Sequence, residues 1–255
     1  MHDRSVPPID PRYWVCIGMA SVFGTNCGDF VSRFLNLGHV SGLPPLAAFF
    51  AFILIAERFA PIRTEIFYWL AIVTLRTAAT NIGDLITNEL DIGSWPAIVG
   101  LIVLMLMTLM PDFLRPSPRP ALAEGQHGIP VTNLRYWTTM LLAGTLGTVG
   151  GDLAADELGL GTACIVFVVV FAILVALRSL PPLSGKVGYW LAIAAGRTMG
   201  TDVGDFLAAG DRLGLGLPRS TLLTGMVLAV TVLLWRNQSN PLIVARRRTE
   251  EAAAP

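Results

Sequence analysis

The fold class predicted by this sequence is an all-α polytopic membrane protein with eight transmembrane helices, arranged as four parallel two-helix repeats. Three observations predict it. The 255 residues are 53% hydrophobic and 14% charged, with a mean hydropathy of +0.62, whereas a soluble domain carries about a quarter charged residues. Apolar runs at residues 46–56, 97–110, 163–177 and 222–235 recur too often for one water-soluble core. A short polar motif is also written four times inside apolar surroundings: Gly24-Thr25-Asn26-Cys27-Gly28-Asp29, Ala79-Thr80-Asn81-Ile82-Gly83-Asp84, Gly147-Thr148-Val149-Gly150-Gly151-Asp152 and Gly200-Thr201-Asp202-Val203-Gly204-Asp205.

A second landmark fixes the register of the repeat. Tyr13-Trp14, Tyr68-Trp69, Tyr136-Trp137 and Tyr189-Trp190 each place the tryptophan fifteen residues before the motif aspartate. Constant spacing of two landmarks is the signature of internal repetition. Each unit reads as a long helix bearing the motif, a short Gly/Pro-containing turn, and an apolar helix without buried charge. The expected spans are roughly 12–37 and 43–59, 66–90 and 96–114, 134–158 and 161–178, and 187–212 and 217–236.

The domain organisation follows. Residues 1–114 form a first half of two hairpins, and residues 115–133 a proline- and glycine-containing cytoplasmic linker. Residues 134–238 form a second half, and residues 239–255 a cytoplasmic tail. Arg76 and Arg197 lie eight residues before their aspartates, while Ser21 and Gly144 hold the matching places in units one and three. The order is A-B-A′-B′, as if a four-helix piece had been duplicated.

Charge placement orients the chain. Thirteen of the 18 basic residues, among them Arg58, Arg135, Arg178, Lys186 and the run Arg246 to Arg248, fall on one side of the expected helices. The positive-inside rule makes that side, and both termini, cytoplasmic. The same rule puts the Tyr-Trp pairs at the inner headgroup level, where amphipathic rings are favoured. Fifteen residues at about 1.5 Å each then carry every motif aspartate roughly 22 Å outward, into the outer half of the membrane. The run Arg246 to Arg248 reads as a topology signal or a contact to anionic lipid.

The motif has a physical logic. Threonine and aspartate four residues apart share one helix face. The positions 24 and 28, 79 and 83, 147 and 151, and 200 and 204 form small-xxx-small pairs that let helix backbones approach closely. Packing alone does not require an acid at this depth, where each carboxylate costs a few kcal/mol on the translocon insertion scale (about 2.5–3.5). The expectation is one shared polar site formed by Asp29, Asp84, Asp152 and Asp205. Thr25, Thr80, Thr148 and Thr201 would supply neutral oxygens, with Asn26, Asn81 and Asp202 as further oxygen ligands. Oxygen donors suit hard cations, so the four motif acids are also candidate metal ligands.

Arg76 and Arg197 have two readings. They neutralise Asp84 and Asp205 across a helix interface, or they form a cationic constriction that couples charge movement or gating. Arg33 and Asp156, one turn beyond the motif, read as gate or vestibule residues. His39 reads as an exposed turn residue, and the three cysteines as packing residues without a zinc pattern.

The combination of Tyr-Trp with a later (G/A)-T-x-x-G-D-(F/L) resembles a bacterial membrane-protein family defined by a four-times repeated element of unknown function. The resemblance runs over about residues 11–236. It implies a multi-pass protein of the bacterial inner membrane and supplies no mechanism.

The functional expectation is a transporter or channel-like protein for a small inorganic cation, with proton coupling as an option. A structural or sensory membrane protein is the first alternative, and a carrier of a small anionic or zwitterionic solute the second. No nucleophile–histidine arrangement, phosphate loop or HExxH points to catalysis, and no cofactor motif is present. The expected partners are the lipid bilayer and a small ion or solute, with homo-oligomerisation compatible. The zero formal net charge gives no basis for nucleic-acid binding.

Overall fold

The computed structural model describes residue 7 and residues 9–60, 65–114, 132–180, 183–209 and 215–239. Among these the fold is all-helical: α1 (Pro11–Asp29), α2 (Gly38–Phe59), α3 (Glu65–Asp84), α4 (Ser94–Leu114), α5 (Leu134–Leu158), α6 (Leu160–Leu177), α7 (Lys186–Ala208) and α8 (Gly216–Ser239). Two five-residue π-helical turns, Phe30–Phe34 and Leu85–Glu89, extend α1 and α3 directly after the motif aspartates. Most of the expected linker and tail, with the run Arg246 to Arg248, lies outside the described residues.

Local chemistry explains where the motif helices begin and turn. Asp10 Oδ1 caps α1 by accepting from the backbone N–H groups of Arg12 (2.9 Å) and Tyr13 (3.0 Å). Asn133, the equivalent residue of unit three, accepts from Tyr136 N–H at 2.9 Å. Both side chains satisfy donors that the first helical turn leaves orphaned. Seven residues beyond the aspartate, the chain turns through the left-handed region at Asn36 (φ 55°), Asp91 (φ 51°) and Gly159 (φ 80°). Asn, Asp and Gly are the residues that tolerate this conformation best. The first of these turns starts α2 at Gly38, five residues earlier than expected, so Pro44 and Pro45 lie inside that helix.

The four motif helices form a closed inner ring in the order α1, α3, α5, α7, with α7 returning to α1. The small-xxx-small pairs build it. Gly24 and Gly28 of α1 face Arg76 and Thr80 of α3, Gly83 faces Thr148 of α5, Gly147 and Gly151 face Arg197 and Thr201 of α7, and Gly200 and Gly204 face Ser21 and Thr25 of α1. A Cβ on Gly28 would come 2.6 Å from Thr80 Cβ, and one on Gly147 2.5 Å from Arg197 Cβ. Only a missing side chain permits this approach. The same contact, repeated four times in one rotational sense, closes the ring.

The apolar helices pack outside it, each against the motif helix of the following unit: α2 on α3, α4 on α5, α6 on α7 and α8 on α1. The hairpins therefore interlock. Their outward faces carry large apolar side chains such as Phe52, Phe59, Leu106, Met107, Ile165, Leu222 and Leu234. These four outer helices are long and apolar enough to cross a membrane, with mean hydropathies of 1.6 to 3.0 and at most 22% of each span buried within the protein. A bundle clad in this way is a multi-pass membrane protein.

The aromatic pairs face the interior of the bundle rather than lipid headgroups. Tyr13, Tyr68, Tyr136 and Tyr189, with their tryptophan neighbours, are buried at 0–5% exposure and form the core at one end of the ring. The tyrosine of each unit packs on the tryptophan of the next, with Tyr13–Trp69, Tyr68–Trp137, Tyr136–Trp190 and Tyr189–Trp14 centroids 5.6–5.9 Å apart. Their constant distance from the acids comes from the repeat itself rather than from a lipid-facing belt. Arg178, at the end of α6, lies over the Trp14 and Tyr189 rings at 5.1 and 5.6 Å.

Candidate functional site: an acid cavity above a filled axis

Each motif helix offers a stripe of every fourth residue to the ring axis. The stripes are Tyr13, Ile17, Ser21, Thr25, Asp29; Tyr68, Ile72, Arg76, Thr80, Asp84; Tyr136, Met140, Gly144, Thr148, Asp152; and Tyr189, Ile193, Arg197, Thr201, Asp205. Four residues of helix rise about 6 Å, so five layers stack along the axis. All four helices run in the same direction, with tyrosine at one end and aspartate at the other.

The first layer is a ring of hydroxyls. Tyr13 bonds Tyr68 (2.8 Å) and Tyr189 (2.7 Å), and Tyr136 bonds the same two residues at 2.8 and 2.9 Å. Four hydroxyls, each donating once and accepting once, satisfy one another in a closed circle. Above them lies an apolar layer of Ile17, Ile72, Met140 and Ile193, all at most 1% exposed.

The third and fourth layers are organised by guanidinium groups. Arg76 Nη1 donates to Thr148 Oγ1 (2.8 Å) and the Gly144 carbonyl (2.9 Å). Its Nη2 donates to Thr201 Oγ1 (2.6 Å), Thr25 Oγ1 (2.7 Å) and the Arg197 carbonyl (3.2 Å). The three threonines can accept because their own hydroxyls donate backwards to carbonyls, as Thr25 does to Ser21 at 3.0 Å. Thr80 makes the same backward bond, to the Arg76 carbonyl at 3.3 Å, but among the described residues accepts from neither guanidinium. Arg197 contacts Ser21 Oγ at 3.2 Å and the Met140 sulfur at 3.1 Å. Among the described residues no carboxylate lies within 4.0 Å of either guanidinium. Of the two readings for the arginines, the one that pairs Arg76 with Asp84 and Arg197 with Asp205 is not realised. The arginine stems lie along the neighbouring glycines, and the heads turn to the axis.

The fifth layer opens into a cavity of about 450 Å³ lined by Asp84, Asp152 and Asp205, with Arg33, Thr87, Asn88, Ser94 and Asp156 at its wall. Three of the four motif acids thus come together there. Asp29 joins them through Arg33, whose Nε lies 3.6 Å from Asp29 Oδ1 and whose Nη2 lies 3.7 Å from Asp84 Oδ2. His39, expected in an exposed turn, is 3.4 Å from Asp84 and 2.9 Å from Glu89, with 16% of its side chain exposed. Asp152 and Asp205 have no ion-pair partner within 4.0 Å among the described residues.

The remaining sequence candidates face elsewhere. One residue past the threonine is about 100° further round the helix, which turns positions 26, 81, 149 and 202 away from the axis. Asn26 Nδ2 donates to Ser220 Oγ of α8 at 2.6 Å. Asn81 packs against Gly42 of α2, and Val149 clusters with Ala97 and Leu101 of α4. Asp202 is 1% exposed and lies beside Gly151, and its backbone carbonyl accepts from the Cys164 thiol of α6 at 3.0 Å. Among the described residues no three His, Cys, Asp or Glu side chains are grouped to hold a metal ion.

A family model described as a repeat of unknown function (DUF347) matches residues 135–181 and 188–239, which are the third and fourth hairpins. The match is consistent with a repeat-containing family of uncharacterised function. No curated protein matches the chain, and no solved structure matches it.

Proposed function

We propose that this protein is a membrane transporter for a small inorganic cation, which enters the acid cavity from the side remote from the tyrosine ring. The observation that carries this reading is the meeting of Asp84, Asp152 and Asp205, from three different repeats, on one cavity, with Asp152 and Asp205 unpaired among the described residues. Unpaired carboxylates at membrane depth are expensive, and a cation in the cavity would offset that cost. The cavity is wide, and among the described residues no three acidic, histidine or cysteine side chains are grouped to hold an ion, so the ion keeps part of its water shell.

The axis beyond the acids is filled by the Arg76–threonine layer, Arg197, the apolar layer and the tyrosine hydroxyls. Passage requires these layers to rearrange, which favours a transporter over a standing channel. In this reading the inner ring crosses the membrane with the outer helices, giving eight spans. The arginines on α3 and α7, at opposite corners, keep the A-B-A′-B′ order of a duplicated pair of hairpins. The tyrosine end faces the cytoplasm of a bacterial inner-membrane protein, and the excess of basic residues at that end supports the orientation.

A zwitterionic solute is the second reading, favoured by Arg33 standing on the wall of the same cavity as the acids. Purified protein in liposomes tests both. Uptake of a monovalent or divalent cation that is lost in Asp205→Asn while folding persists supports the proposal. Uptake of an amino-acid-like solute without cation flux supports the second reading, and no flux of either kind removes both.

A further inference from the structure

We propose that Arg33 is a tethered competitor of the cation: its guanidinium occupies the Asp29–Asp84 half of the acid site and gives it up when a cation enters. The inference rests on the cation reading above and adds to it a residue that sets the affinity.

The seating of Arg33 is loose. Its contacts of 3.6 and 3.7 Å to Asp29 and Asp84 are ion pairs beyond hydrogen-bonding distance, and 61% of its side chain is exposed, against 5–6% for the carboxylates. The carboxylates are buried, so the loosely seated guanidinium leaves when another cation takes over their charge. The carboxylates cannot follow it into water. Asp84 Oδ2, buried and without a hydrogen-bond partner, has Arg33 Nη2 at 3.7 Å and His39 Nε2 at 3.4 Å.

The position is specific to one unit. Four residues beyond the motif acids stand Arg33, Asn88, Asp156 and Ala209. The first three line the cavity, and Arg33 is the only Lys or Arg among the described residues that do. Arg33 sits on the π-helical turn that directly follows Asp29. Such one-turn widenings change the direction of the side chains they carry and recur at functional sites. The site is therefore divided: Asp152 and Asp205 are free to receive a cation, and Asp29 and Asp84 are already served by one. A cation entering beside Asp84 meets the guanidinium already there, and its apparent affinity falls by the fraction of time the guanidinium is in place.

The test is equilibrium binding to the purified full chain in detergent, titrated with magnesium, manganese, sodium and guanidinium chlorides by calorimetry at constant ionic strength. Arg33→Gln is expected to bind the preferred cation about five-fold more tightly than the wild type, and Arg33→Lys to stay near the wild type. If the wild type binds a cation but Arg33→Gln leaves its affinity unchanged or weakens it, the competitor role is overturned while the cation reading stands. If neither wild type nor variants bind any of the four cations, the cation reading itself falls, and this inference with it.

Discussion

Arg76 on α3 reaches across the ring to Thr201 on α7, the helix at the opposite corner, and its Nη2 donates to Thr201 Oγ1 at 2.6 Å. The same guanidinium holds Thr25 and Thr148, from the two remaining corners. One side chain thereby ties three motif threonines to the axis, and the threonines place their aspartates one turn above it. Arg197 has no comparable set, with one hydroxyl and one thioether as partners. Hydrogen bonds to a charged group contribute about 1.5–3 kcal/mol each. Arg76→Lys, which keeps the charge but loses the planar fork, is therefore expected to lower the apparent unfolding temperature in detergent clearly more than Arg197→Lys. Equal effects would contradict the assignment of Arg76 as the organiser of the threonine layer.

The tyrosine ring makes a prediction about additivity. Each hydroxyl takes part in two of the four bonds. A single Tyr13→Phe removes two bonds, an adjacent pair such as Tyr13→Phe with Tyr68→Phe removes three, and the opposite pair Tyr13→Phe with Tyr136→Phe removes all four. At about 1 kcal/mol per bond, the opposite pair is expected to cost about 1 kcal/mol more than the adjacent pair, measured by unfolding in denaturant. An adjacent pair as damaging as the opposite one would mean that the hydroxyls do not form a circle.

Ring closure depends on the absent side chains. Gly147→Ala would put a methyl group 2.5 Å from Arg197 Cβ and 2.8 Å from Thr198 N, an overpacking expected to cost about 1–3 kcal/mol. Gly100→Ala on α4, where a new Cβ meets nothing within 4 Å, is the control and is expected to be neutral or slightly stabilising. Thermal unfolding of the two variants in one detergent compares them directly.

Much of this arrangement was legible in the sequence, because repetition makes phase visible. The four motifs, their spacing from Tyr-Trp and the small-xxx-small pairs announced eight helices and a close-packed inner set. Threonine and aspartate four residues apart share a helix face, and that face belongs to the stripe each motif helix turns inward. The inward direction of the tyrosines had a sequence signal too: each lies sixteen residues before its aspartate, on the same every-fourth-residue stripe. A headgroup belt would not need that phase, since lipid-facing rings point away from the axis.

Other parts had no sequence signal. The same 3.6-residue period that puts Thr25 on the axis puts Asn26 against α8, but the partner, Ser220, is 194 residues away. His39 reaches Asp84 and Glu89 only because the π turns and the left-handed Asn36 fold the start of α2 over α3. Which acceptors the arginines choose depends on the glycines of neighbouring helices, and no linear pattern encodes that choice.

The central claim is that acids from different repeats form one cation site, and the most direct measurement is binding stoichiometry with single neutralisations. The account predicts one saturable cation-binding event per chain. It is weakened about tenfold or more, at least 1.4 kcal/mol, by either Asp152→Asn or Asp205→Asn while the unfolding temperature is retained. Several independent binding events, or full-affinity binding in both variants, would contradict it.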